Sequence, residues 1–332
     1  MSVDIGAELA TQLDRALADA TGAATLRAVE RGEWPAAAWE AVAELGLGLA
    51  LVPEAAGGAG LGFEAVAPAL ITLGRHGAPL PLGETMVASA LLAAAGIEVP
   101  VCVITLAAAG TAVPWGRHAN HVAVLDGAAV ALHVAPTWQQ GTNLANEPRD
   151  RATPGAPLAT GTLPNAWGTE AALLCTALLR ACQTAGALDT ALRLAVDYAN
   201  TRKQFGRPIG RFQAIQQQLA LFAEETAAAT VAALSAARAA DRHGLAGAAF
   251  EIGCAKITTG EAATRGAAIA HQVLAAIGIT EEHALHHLTR RLWAWREEGG
   301  TERFWSARIG AAVLARGGAA LWPDLTARDG VF

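Results

Sequence analysis

Residues 198–220 read Y-A-N-T-R-K-Q-F-G-R-P-I-G-R-F-Q-A-I-Q-Q-Q-L-A. In a chain dominated by alanine, leucine and glycine, Arg202, Lys203, Arg207 and Arg211 gather with five glutamines around the turn Gly206-Arg207-Pro208-Ile209-Gly210. Such a set can hold an anion. A diphosphate is bound best by fixed, delocalised cations with bidentate donors, which arginine supplies better than lysine. Arg202 closes one predicted helix and Gln213 falls in the first turn of the next, where free backbone N–H groups also favour an anion. The same charges would serve to cap two helices and solvate a turn, and the stretch alone leaves both readings open. Phe212, Ile215, Leu219 and Phe222 repeat at helical spacing and read as a core face.

Other groupings carry less chemistry. His283, His286 and His287 stand at i, i+3 and i+4 beside Glu281 and Glu282, a spacing that presents two imidazoles and a carboxylate to a metal. Hydrogen-bonded polar histidines are the better account, and no metal is expected. Arg290, Arg291 and Arg296, with Glu297 and Glu298, are expected to form ion pairs along a helix face. Glu147-Pro148-Arg149-Asp150 reads as a turn without chemistry. Gly57, Gly58, Gly60 and Gly62 do not form a dinucleotide fingerprint, because that loop follows a strand and this one joins two helix-like segments. No Ser/His/Asp nucleophile context and no P-loop is found. Cys102, Cys175, Cys182 and Cys254 form no C-x-x-C pair and read as reduced core cysteines.

The elements that must position these residues follow from periodicity. Residues 4–50 carry helical patterning, with Pro35 opening a helix, and a further helix runs from Phe63 to Leu73 and another over 85–96. The texture changes near Ile97: V-C-V-I-T-L at 101–106 and H-V-A-V-L-D-G-A-A-V-A-L-H-V at 121–134 predict a small β segment with a hairpin turn at Asp126-Gly127. Helices are expected over 167–201, 211–241, 246–276, 281–295 and 302–319. The fold class is therefore mainly α with a small β domain. Its divisions are a helical domain over 1–97, a β domain over 98–165 and a helical bundle over 166–332.

Composition bounds the partners. Of 332 residues, 53% are hydrophobic and 16% charged, ample for large cores. A net charge of −6 with scattered arginines gives no nucleic-acid footprint. Apolar runs at 35–52 and 86–113 are broken by Glu, Gly and Thr, so no membrane span is expected. The start M-S-V-D-I-G-A-E-L lacks a basic region before an apolar one, and the chain is expected to be cytoplasmic.

The stretch R-K-Q-F-G-R-P-I-G-R-F-Q-A-I-Q-Q-Q-L-A resembles the signature of the acyl-CoA dehydrogenase family, flavoenzymes that oxidise a CoA thioester between its α and β carbons. The resemblance extends to L-G-L-G-L-A-L-V-P-E-A-A-G-G-A-G-L-G at 45–62, L-G-R-H-G-A-P-L-P-L-G-E-T at 73–85, V-P-W-G-R-H-A at 113–119 and H-Q-V-L-A-A-I-G-I-T-E-E-H at 271–283. It implies FAD as cofactor, an acyl-CoA as substrate and a homologous subunit in a homo- or heterotetramer. It implies that Arg202 and Gln213 contact the FAD pyrophosphate and adjoining groups, with Gln204 in the same set, and that Phe205 packs near the adenosine half. Gln272, with Ala276 in its loop, reaches FAD across a subunit interface.

Three departures qualify what the resemblance implies. The β segment is short and lacks the T-E-P-x-A-G-S-D type of motif that holds the flavin ring and acyl-CoA. The family's Q-x-x-G-G loop reads Gln272-Val273-Leu274-Ala275-Ala276, with methyl groups where backbone should approach the cofactor. The base, a carboxylate that removes the α proton, is often the Glu of a Tyr-Glu-Gly-Thr segment. Here that position is Gly299, and the family's other base location falls near Thr176. Glu298, one residue away, is the candidate base. Short family members in steroid-degrading bacteria share such losses and pair with a longer homologue as α2β2 heterotetramers. The chain resembles such a short subunit, taking part in dehydrogenation of a bulky, steroid-like acyl-CoA. The alternative is a catalytically inert subunit that stabilises a longer catalytic homologue.

Overall fold

The computed structural model describes residues 5–152 and 155–327; the M-S-V-D start that bears on a leader lies outside them. Five helices come first: α1 (Ile5–Ala20), α2 (Ala23–Glu30), α3 (Ala36–Ala43), α4 (Phe63–Arg75) and α5 (Leu82–Ala94). Leu13 and Leu17 of α1 are fully buried, and α4 buries nine of its residues, so this layer is packed on one side against the rest of the chain.

The strands follow: β1 (Ile104–Ala108), β2 (Val113–Pro114), β3 (His121–Asp126), β4 (Ala129–Val134), β5 (Arg149–Asp150) and β6 (Ala159–Thr162). The main sheet has the order β1-β3-β4-β6. β1 pairs with β3 in parallel, a pairing the sequence did not give, while β3 and β4 form the expected hairpin with Asp126 opposite Ala129. Gly127 supplies the positive φ of that turn. β2 pairs with β5 in a separate two-stranded ladder.

The bundle consists of α6 (Ala171–Thr201), the short ladder β7 (Lys203–Gln204) and β8 (Arg207–Pro208), then α7 (Gln213–Gly247), α8 (Ala249–Leu274), α9 (Leu285–Glu297), α10 (Glu302–Arg316) and α11 (Gly318–Ala327). α6 is its axis. It crosses α4 in backbone contact, since a Cβ at Gly74 would meet the carbonyl of Gln183 and one at Gly186 the carbonyl of Ile71, both at 1.9 Å. Only glycine allows that approach.

Contrary to the reading of broken apolar runs, α6 and α7 each have the length and apolar content of a membrane span. For α6 the reason is burial: 89% of its apolar window lies inside the bundle. For α7 only 28% does, leaving Leu221 and Val231 exposed among alanines. Two further expectations change. Cys175 and Cys182 are buried, but Cys102 and Cys254 are half-buried rather than core. Of the expected core face on α7, Phe222 is fully buried and Ile215 and Leu219 pack against the core, whereas Phe212 meets Phe205 edge-on beneath Arg207.

Candidate functional site

The residues singled out in the sequence fall at two separate places. At one end of the bundle, Arg202 caps α6, Gln204 lies in β7, Phe205 sits at the tip of the ladder turn and Gln213 begins α7. α7 returns antiparallel to α8, with Arg265 of α8 reaching Glu225 of α7. Gln213, about three turns earlier on α7, is therefore level with the residues just after Leu274. Gln272 and Ala276 thus belong to the same end, and both are exposed.

The chemistry of this end suits an anion. Among the described residues, no ion pair involves Arg202, Lys203 or Arg211, and Arg207 lies over the Phe212 ring at 4.3 Å. Phe205 is 90% exposed on a backbone with φ +52°, a left-handed conformation that non-glycine residues rarely hold. Ala275 stands at φ 53°, ψ −139°. That conformation belongs to glycine, so Ala275 holds it at a cost of about 1–3 kcal/mol. The donor set and the glycine-like turn at Ala275 both fit a dinucleotide's diphosphate.

The second place is a cavity of about 520 Å³ between the end of β1, the 142–149 loop, the start of α6 and the segment 293–299. Leu106, Leu144, Leu173 and Trp293 give it apolar walls, while Thr176, Glu298 and Gly299 bring both family base positions to its edge. Neither position offers a free carboxylate. Gly299 has φ +69°, and a Cβ there would lie 2.6 Å from the Ala177 amide nitrogen, so no side chain fits against α6. Thr176 donates its hydroxyl to the Ala172 carbonyl.

Glu298 is a carboxylate, but its oxygens are occupied. Arg149 donates Nε to Oε1 at 2.7 Å and Nη2 to Oε2 at 2.9 Å, Arg180 donates Nε to Oε2 at 2.7 Å, and Asn143 donates to Oε1 at 3.0 Å. Burial alone would raise its pKa, yet Arg149 and Arg180 outweigh burial and hold it well below the usual carboxylate range. Such a carboxylate stays ionised and is a poor proton acceptor.

Glu298 is one link in a buried chain of alternating charges. Arg180 also pairs with Glu84 of α5 at 2.7 Å. Arg149 reaches Glu147, whose Oε2 accepts the Trp295 indole N–H at 3.0 Å. Arg291 Nε lies 3.1 Å from Glu147 Oε1, near enough for an ion pair though off the hydrogen-bond line. Arg291 also approaches Glu30 of α2, which pairs with His287 at 2.8 Å and Arg290 at 2.9 Å. The chain therefore ties α2 and α5 to the 142–149 loop and to α6 and α9. Lys256, held down to about 8 by burial, donates Nζ to the carbonyls of Trp295 and Arg296 and so closes the end of α9 from which Glu298 projects.

Several sequence expectations are corrected here. Arg296 pairs with Glu302 at 2.9 Å and more loosely with Glu297, not with Glu298. Arg291 is fully buried rather than on an exposed helix face. Glu147 and Arg149, read as an idle turn, are central links. His287 bonds Glu30 and His283 Nδ1 accepts the Leu285 amide, while the His286 and His287 rings lie 3.9 Å apart, tilted by 43°. Among the described residues no group of three or more potential metal ligands converges. Sequence reasoning missed Glu84, Asn143, Glu147, Arg149 and Arg180. Only Arg180, a lone charge in the apolar run Leu178-Leu179-Arg180-Ala181-Cys182, carried a visible signal.

A helical layer, a small sheet and a helical bundle around a cavity at their junction define the class, and comparison with known proteins agrees. Residues 8–99 match the acyl-CoA dehydrogenase N-terminal domain, and residues 169–314 the acyl-CoA dehydrogenase C-terminal domain. The chain belongs to the acyl-CoA dehydrogenase family, oxidoreductases acting on the CH–CH bond of acyl-CoA. It is 32% identical over 264 residues to acyl-CoA dehydrogenase IpdE2 of Mycobacterium tuberculosis (strain ATCC 25618 / H37Rv), covering 76% of this chain and 79% of that one. Among solved structures, a variant of the Tcur3481-Tcur3483 steroid ACAD superposes with a TM-score of 0.84 at 26% identity, covering 95% of this chain and 98% of that one. The ChsE4-ChsE5 complex from Mycobacterium tuberculosis gives 0.83 at 20% identity, covering 96% and 99%, a likeness of fold.

Proposed function

We propose that this chain is one subunit of an FAD-dependent acyl-CoA dehydrogenase that acts on a bulky, steroid-like acyl-CoA in the cytoplasm, and that a homologous partner supplies the base. The carrying observation is Glu298 locked between Arg149 and Arg180 beside a Gly299 with no room for a side chain. The cavity is shaped to bind, but among the described residues neither family base position gives it a free carboxylate; Glu297, the other carboxylate in its lining, lies 3.6 Å from Arg296.

A second observation favours a shared cofactor. Thr176, at the cavity, and Arg202, at the cationic end, are separated along α6 by roughly 26 residues, about 39 Å at ~1.5 Å each. That is farther than an extended flavin dinucleotide spans. The cationic end of one chain therefore serves a cavity belonging to another. Arg202 and Gln213 would hold the diphosphate, with Gln204, Phe205, Gln272 and Ala276 beside it. When bound, the flavin supplies the acceptor for the β-hydride. The likeness to the Tcur3481-Tcur3483 steroid ACAD supports the bulky acyl group, and the solved ChsE4-ChsE5 complex supports a heteromer. Among the described residues no disulfide joins Cys102, Cys175, Cys182 or Cys254, in keeping with a reducing compartment.

The second reading, an inert subunit that stabilises a longer homologue, draws on the same locked Glu298. Visible absorbance separates the two. The proposal expects a chain that is colourless alone, yellow when co-expressed with a longer homologue, and bleached by acyl-CoA in the complex. In that complex Arg202→Ala should lower the flavin-to-protein ratio at least tenfold. Unchanged flavin content in the variant would refute the placement of the diphosphate. It would favour the inert reading.

A further inference from the structure

A second cavity, of about 170 Å³, lies on the opposite side of α5 from the ion-pair chain. Gly83 and Glu84 face α6, where a Cβ at Gly83 would meet Leu179 and Glu84 pairs with Arg180. Leu82, Thr85 and Ser89, spaced i, i+3 and i+7, share the other face and line this cavity with Trp39, Leu49 and Cys102. The walls come from the α3 region, α5 and the segment leading to β1. None of these lining residues takes part in the ion-pair chain described above, although Glu84 on the opposite face of α5 does.

Two observations mark it as more than a packing gap. Ser89 is 0% exposed and its Oγ has no hydrogen-bond partner among the described residues, an arrangement that is costly for a buried hydroxyl. The neighbouring Thr85 hydroxyl is committed to the Ile104 carbonyl at 2.8 Å. A buried water needs two to four polar partners, and beside this hydroxyl the lining is largely apolar. At the rim, Cys102 Sγ lies 3.3 Å from His121 Nδ1, next to the 86% exposed Val101. Burial pushes the Cys102 thiol up, so the group is a neutral thiol whose alkylation reports access.

We propose that this cavity is a binding site for a small, mostly apolar molecule with one hydrogen-bonding oxygen, which pairs with Ser89 Oγ while the apolar part fills the space between Trp39, Leu49 and Leu82. The size agrees: an apolar cavity of about 150 Å³ holds benzene. Phenol is thus a ring of fitting size with the one oxygen the orphan hydroxyl requires. Entry passes the Cys102 thiol.

The test uses maleimide labelling of the full chain, read at Cys102 by peptide mass spectrometry, with phenol, with benzene and with neither. Phenol is expected to slow labelling at Cys102 at least tenfold and to act at about tenfold lower concentration than benzene. Ser89→Ala should erase that preference while leaving benzene's effect in place. Gly48→Leu, whose side chain would be directed toward Thr85, should remove protection by both. Labelling indifferent to phenol overturns the proposal, as does equal protection by phenol and benzene in the native chain. Protection that persists in a folded Gly48→Leu variant places phenol elsewhere and overturns it as well.

Discussion

Glu298 stands one position from where the family carries its base, and its neighbours decide what it does. A base must exchange protons near working pH; a carboxylate clasped by two buried arginines does not. Glu298→Gln removes one charge and leaves Arg149 and Arg180 under-compensated, so a loss of about 3–5 kcal/mol is expected, read as a fall in denaturation midpoint. If instead the variant unfolds at the native midpoint while turnover of the complex disappears, Glu298 is a base after all. Arg149 and Arg180 owe their importance to partners more than 90 positions away along the chain, such as Glu298 for Arg149 and Glu84 for Arg180. Local spacing gave no sign of these pairs.

At the scale of elements, the long helices were legible because alanine and leucine repeat at a helical period over many turns. The starts and ends of α6, α7 and α8 lie within six residues of the sequence reading, the end of α7 being the farthest off. The parallel pairing of β1 with β3 was not legible, since register between strands without a tight turn is set by tertiary contacts. The loop after α8 carries a strained residue. Ala275 holds a glycine conformation there, so Ala275→Gly should stabilise the chain by about 1 kcal/mol or more, seen in chemical denaturation. A loss of stability in the glycine variant would mean the loop is not strained.

For the whole molecule, acid is the informative perturbant. Burial would raise the pKa of Glu30, but the His287 hydrogen bond and the charges of Arg291 and Arg290 bring it down to about 2. Glu147 and Asp150 are also depressed, against burial, by Arg291 and Arg149 and by Arg117 respectively. A depressed carboxylate stabilises the fold above its unfolded pKa and loses that contribution as pH falls through the folded value. Stability should therefore decline from about pH 4.5 toward pH 2, and Glu30→Gln should both lower the neutral plateau by about 1–3 kcal/mol and flatten the acid slope. An unchanged acid slope would remove Glu30 from the account. Seven alternating links, Glu30, Arg291, Glu147, Arg149, Glu298, Arg180 and Glu84, join three regions of the chain, and each inner link serves two neighbours. No inner position can drift alone without stranding a charge on either side. Sequences that keep this architecture should inherit the seven as a block or replace them together, so that a single mismatched member in a relative foretells a compensating change next to it.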